Sequence, residues 1–274
     1  MAKAVSTNTK TARTVTDMDS PTLPSLIIAC AIGIASGGIG AFVILKRMAL
    51  VGDALSHVAL PGIALALFYA IDPFWGVLIF LLGAAVIVWW LEGRTTLPGD
   101  ALVGLLFTTS LAIGVVTIPN REIIHSLFGE FSALSPIEFS VTTVLALAAA
   151  GAVIGLARQF LFRTTTPDLA QVHGLGRWFD LLLLSLFALI VSLGIKLVGT
   201  LLMGALTIIP ASIAKNIAKS MKGYIFSSVL LGGFISVAGL FIAQMFAFFP
   251  GPSIILFGVG LFLISLVLPR AMRT

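Results

Sequence analysis

The sequence predicts an all-α fold: a polytopic membrane bundle of eight or nine transmembrane helices. Three observations carry that prediction. The 274 residues are 59% apolar and only 10% charged, with a mean hydropathy of +1.14, whereas a soluble domain is about 25% charged. The charge-poor runs reach the roughly 17–25 residues that a helix needs to cross a bilayer, and they are too long for the ~10-residue strands of a membrane barrel. Most of the Lys and Arg sit in short loops between those runs. This composition excludes a soluble globular enzyme and any disordered or fibrous class.

Residues 1–24 are rich in Ser and Thr, carry Lys3, Lys10, Arg13, Asp17 and Asp19, and end in Pro21 and Pro24. They predict a mobile polar tail. The apolar run that follows is too long for a signal peptide and lacks its small-residue cleavage pattern. Spans are predicted near 25–45, 51–71, 74–91, 101–119, 137–157, 180–197, 198–214, 223–249 and 252–268. Residues 25–268 are therefore the transmembrane domain, and 269–274 a short cytoplasmic tail. Only Lys196 marks a break between 180–197 and 198–214, which is why the count is eight or nine. Gly223 to Pro269 holds no charge and is too long for one crossing. Pro250-Gly251-Pro252 is the expected turn within it.

The net charge is +5. Because the basic residues lie between apolar runs, they read as topology signals and not as a nucleic-acid surface. With the loop 158–179 inside, 11 of the 16 Lys and Arg fall on the cytoplasmic side, Lys46, Arg94, Arg163 and Arg177 among them. That bias sets the orientation, puts the C-terminus inside and, with nine spans, the tail outside. Trp75, Trp89, Trp90 and Trp178 all fall at predicted span ends, as interfacial aromatics do. Gly33 with Gly37, and Gly151 with Gly155, have the GxxxG spacing that lets helices approach closely in lipid. Packing inside the chain and a dimer face both fit that spacing. Cys30 is the single cysteine. One thiol builds neither an internal disulfide nor a thiolate metal cluster, so it reads as a packing residue.

The second span opens Gly52-Asp53-Ala54-Leu55-Ser56-His57, followed by Leu60-Pro61-Gly62. Asp53 and His57 are four apart, on one helix face and one turn from each other. A carboxylate and an imidazole at that spacing can share a divalent cation such as zinc, manganese or ferrous iron. A structural Asp–His hydrogen bond near a helix start fits the same residues. Zinc prefers about four ligands, so a two-fold dimer supplying two such pairs is the simplest completion. Pro61 and Gly62 would loosen the helix just beyond.

On the cytoplasmic side, residues 164–176 contain a short helix. Thr166 is the expected cap, Pro167 the first helical residue, Asp168 the acid at the positive end, and Gly174 the stop. Leu169 and Ala170 complete it. Such an element suits docking by a cytoplasmic partner; an ordinary interfacial helix fits as well. On the outer side His125 and Glu130 could guide a cation inward, or be merely solvated. His173 is not assigned to metal. Pro210 is expected to kink its span and free the carbonyl of Leu206. The chain has no P-loop, so any ATP that drives it must be hydrolysed by another chain. It has no H-E-x-x-H or G-x-S-x-G either, which speaks against a protease.

Lys46-Arg47-Met48, Gly52-Asp53-Ala54-Leu55-Ser56-His57 and Leu60-Pro61-Gly62 resemble the signature of the metal-cation ABC importer permeases. The resemblance continues through Asp100 to Gly104, Leu127-Phe128-Gly129, Pro167-Asp168-Leu169-Ala170 with Gly174, Ile208-Ile209-Pro210-Ala211 and Gly251-Pro252-Ser253. It covers roughly residues 25–268 and leaves out the polar tail, which departs from the family pattern. It implies a type II ABC importer permease in a bacterial inner membrane, with transported zinc or manganese and no covalently bound cofactor. It implies a homodimer, a separate cytoplasmic ATP-binding-cassette ATPase that holds the ATP, and an extracytoplasmic metal-binding protein. Asp53 and His57 map onto the family's pathway ligands. Residues 166–176 map onto the coupling helix. The chain would then be a transport subunit and not itself an enzyme. Zinc is the first expectation, manganese or iron the next. A secondary metal transporter or channel without an ATPase, or a permease for a metal chelate, are the rivals.

Overall fold

The computed structural model describes residues 23–69, 71–97, 99–117, 136–200, 202–246 and 248–267. Regular structure among them is helical throughout. In chain order the helices are α1 (Leu23–Leu45), α2 (Ala49–Phe68), α3 (Pro73–Glu92), α4 (Gly99–Thr117), α5 (Pro136–Gly155) and α6 (Ala157–Thr165). There follow α7 (Pro167–Val172), α8 (Trp178–Val198), α9 (Met203–Ile217), α10 (Met221–Met245) and α11 (Pro250–Val267). The expected tail up to residue 22 and the C-terminal residues 268–274 lie outside the described residues. α1 starts at Leu23, two residues inside the expected tail, because Pro24 fits the first helical turn.

Among the described residues, six helices are long and apolar enough to cross a membrane: α1, α3, α5, α8, α10 and α11. Over the described residues the count is six, against the expected eight or nine. The other three runs give α2 of 20 residues, α4 of 19 and α9 of 15. α9 has 15 residues, which at about 1.5 Å each cover some 22 Å of a ~30 Å hydrocarbon core.

α1 is the centre of the bundle. It packs against α10, α5, α9 and α8 and is buried along most of its length. A helix buried on all sides is apolar on all sides. Its glycines set the distance of approach. A Cβ at Gly33 would overlap the Gly232 carbonyl of α10, one at Gly37 the Ser228 carbonyl, and one at Gly40 the Thr207 carbonyl of α9. The Gly33/Gly37 spacing is thus close packing inside one chain. The Ser228 hydroxyl donates to Gly37 O at 2.5 Å, and the Tyr224 hydroxyl to Ala41 O at 3.2 Å. Interhelical hydrogen bonds of this kind help hold helices in a medium where burial alone does not. Gly151 and Gly155 on α5 differ: no described atom lies within 4 Å of where a Cβ would stand. Cys30 is half-buried and faces Gly233, as a packing residue should.

Two chain breaks fall elsewhere than expected. α8 ends at Gly199, whose φ of +85° only glycine adopts readily; Lys196 is still inside the helix. α10 ends at Met245, and Pro250 opens α11. Pro-Gly-Pro is therefore the first helical turn and not the turn between helices, since proline at the first position lacks only an N–H that has no helical partner anyway. Ser220 caps α10 by accepting from Gly223 N at 3.1 Å, and Asp72 caps α3 by accepting from Phe74 N at 2.7 Å. Pro210 lies within α9. The Thr207 hydroxyl donates to Met203 O at 3.1 Å and so does not serve the freed Leu206 carbonyl.

Candidate functional site

Positions 53 and 57 both fall in the first half of α2, separated by about 6 Å of helical rise. α2 packs against α3, α4 and α9. The His57 ring is half-buried and meets Phe107 of α4 edge to face, with centroids 5.2 Å apart. One turn further, Pro61 lies inside α2 and Gly62 faces α3. A Cβ at Gly62 would stand 2.6 Å from Gly76 O, so this is where α2 and α3 touch backbone to backbone. Among the described residues no three His, Cys, Asp or Glu side chains converge on one point. His125 and Glu130 lie outside the described residues.

The cytoplasmic helix predicted within 164–176 is α7, of six residues. Pro167 is its first residue and Asp168 lies in its first turn. Ala170 is buried, while Leu169 and Val172 are 56% and 83% exposed. Gly174 stops the helix with φ +80°. Leu175 N donates to Ala170 O at 2.9 Å and Gly174 N to Gln171 O at 3.1 Å, a Schellman closure. Thr166 occupies the cap position but makes no side-chain cap bond. Its hydroxyl donates back to Phe162 O at 3.1 Å, the competing bond open to a Thr that follows a helix. His173 Nδ1 lies 2.9 Å from Leu169 O, and its ring packs on Phe162 at 5.6 Å.

Next to α7 stands a cluster of charges. Asp180, in the first turn of α8, pairs with Lys46 Nζ at 2.7 Å and with Arg163 Nη2 at 2.8 Å. All three side chains are 12–18% exposed. A cavity of about 470 Å³ opens beside them. On the neighbouring rim, Trp89 Nε1 donates to Arg177 O at 2.9 Å, and Arg177 Nη2 returns a bond to Trp89 O at 2.7 Å. Trp89 and Trp178 lie 5.0 Å apart, and Arg94 covers the Trp90 ring at 4.8 Å. Three of the four tryptophans and the basic residues Lys46, Arg94, Arg163 and Arg177 are thus gathered at one end of the bundle.

The Lys46–Asp180–Arg163 cluster escaped the sequence reading. Its cations were counted as topology signals, and Asp180 was passed over at the head of an apolar run. A lone carboxylate entering a membrane helix beside two basic loops was the available signal.

The family model described as the ABC 3 transport family matches residues 18–269. The chain belongs to the ABC 3 transport family. This ABC 3 permease is 34% identical over 254 residues to the manganese import system permease protein ScaB of Streptococcus gordonii, covering 91% of each chain. It is 28% identical over 249 residues to the high-affinity zinc uptake system membrane protein ZnuB of Haemophilus influenzae, covering 89% of this chain and 95% of that one. Its fold matches the structure of PsaBC from Streptococcus pneumoniae in complex with Fab, with a TM-score of 0.76 at 32% identity, over 91% of this chain and 92% of that one. With six membrane-length helices among the described residues, this ABC 3 permease is a multi-pass bacterial membrane protein.

Proposed function

We propose that this chain is the permease subunit of an ATP-driven importer for divalent transition-metal ions, zinc or manganese. It works as a homodimer with a separate ATP-binding-cassette ATPase and an extracytoplasmic metal-binding protein. Asp53 and His57 from both protomers hold the ion in passage, and His125 and Glu130 guide it in from outside. α7 is the coupling helix, with Thr166, Pro167, Asp168, Leu169, Ala170 and Gly174 forming or closing it. The observation that carries the reading is the pair of positions 53 and 57 one turn apart in α2, in a chain whose relatives are named for manganese import and zinc uptake. Oxygen and imidazole ligands suit either ion. Two pairs give the two carboxylates and two imidazoles of a tetrahedral zinc site, and manganese accepts the same donors. Binding in transit must stay weak enough for release. The exposed Leu169 and Val172 give α7 an apolar face for the ATPase.

The test is uptake of radioactive zinc and manganese into vesicles that hold this chain, its ATPase and its binding protein. Uptake should require ATP, and Asp53→Asn or His57→Ala should abolish it while the chain stays in the membrane. The preferred ion assigns the substrate. Normal uptake by both variants sinks the site. Uptake without ATP turns the protein into a secondary transporter, and no uptake of either ion points to iron or a chelate.

A further inference from the structure

Asp180 holds two distant parts of the chain at once and reaches a third through one of them. Its Oδ1 accepts from Lys46 Nζ at 2.7 Å, and its Oδ2 from Arg163 Nε and Nη2 at 3.0 and 2.8 Å. The remaining arm of Arg163, Nη1, donates to Pro167 O at 3.0 Å. Pro167 is the first residue of α7. Lys46 in turn begins the three-residue turn that joins α1 to α2. Within that turn Arg47 has φ +58°, a region where a residue with a side chain seldom sits. Backbone bonds hold it there, Arg47 N to Ile44 O at 3.1 Å and Met48 N to Val43 O at 3.0 Å. A continuous line of bonds therefore runs from the start of α7, through Arg163, Asp180 and Lys46, into a strained turn at the head of α2.

The line has a mechanical property. Each oxygen of one rigid carboxylate is committed to a different element. A shift of α6 and α7 relative to α1 cannot preserve both bonds unless the turn before α2 follows. Arg163 holds its oxygen with two donors, Nε and Nη2, that converge on Oδ2. The cavity of about 470 Å³ is lined by Lys46, Arg47, Glu92, Arg163, Pro167 and Asp180. It leaves the cluster room to rearrange, which a close-packed interior would not. Strained residues that persist at such places mark switching segments.

We propose that Asp180 is the joint that delivers a displacement of α7 to α2, with Lys46 and Arg163 as its two arms. All three are positioning residues; they touch neither the ion nor the nucleotide. The proposal rests on reading the chain as an ATP-driven permease with α7 against the ATPase.

The experiment uses the full complex of this chain, its ATPase and its binding protein in proteoliposomes. Radioactive manganese and zinc uptake and ATP hydrolysis are measured together, per assembled complex. Lys46→Met cuts one arm and leaves Arg163 on Asp180; Asp180→Asn weakens both arms. Each should keep ATP hydrolysis but lower the ions moved per ATP by about tenfold or more, within the usual range of coupling between sites. Lys46→Arg keeps the charge and should restore the ratio. If Asp180→Asn fails to assemble, Lys46→Met decides alone. An unchanged ratio in Lys46→Met overturns the joint. So does a parallel fall of uptake and hydrolysis, which is what a merely structural role gives. If the wild-type complex itself moves neither ion with ATP, the permease reading fails and the joint with it.

Discussion

Gly37 and Gly151 stand in identical spacings and have opposite surroundings. A side chain at Gly37 meets the backbone of α10; one at Gly151 meets no described atom within 4 Å. Gly37→Leu should therefore cost about 1–3 kcal/mol or more, as overpacking does, while Gly151→Leu should stay within about 0.5 kcal/mol. Thermal unfolding of the two variants in detergent checks this, and equal losses would contradict the packing described. The spacing was legible in the sequence, but which glycine pair is covered was not, because that depends on a helix nearly 200 residues away. The same limit separates the two sets of polar residues. Asp53 and His57 could be paired by counting, since helix geometry puts residues four apart on one face. Asp180 has its partners 134 and 17 residues away, and no local period connects them.

At the scale of elements, α7 was readable because its start and stop are chemical: Pro167 in front, Gly174 behind. Gly174 carries its closure at φ +80°, where alanine costs about 1–2 kcal/mol. Gly174→Ala should then raise amide hydrogen exchange over residues 170–175 by about 5–30-fold, the factor that such an energy implies. Exchange at the wild-type rate would mean that another contact holds the helix. The two elements misread by sequence each involve a residue with two local uses. Thr166 was read forward as a cap, yet it bonds back to the preceding helix. Pro250 was read as a break, yet it opens the helix that follows the break. Propensity names the punctuation, and the neighbouring backbone decides on which side it acts.

For the whole molecule, the class was legible and the number of membrane-length helices among the described residues was not. Composition determines the class. The number depends on where a charge-poor run stops being helical, as at Gly199, or on a helix being only 15 residues long, as in α9. The orientation gives a direct test. In a Cys30→Ala background, a cysteine at exposed His173 should react with an impermeant maleimide only from the cytoplasmic face, and one at exposed Asp72 only from the outer face. The reverse pattern would invert the topology.

The seam between α1 and α10 has a consequence for biogenesis. α1 ends at Leu45 and α10 starts at Met221. At roughly 5–20 residues per second of synthesis, the two are separated by about 10–35 s on the ribosome. The first helix to enter the bilayer thus waits with its glycine face bare until the next-to-last described helix arrives. During that interval the nascent chain must be sheltered by lipid, by the insertion machinery or by α5, α8 and α9, and a ribosome that stalls before residue 221 releases a product whose central helix has never been closed.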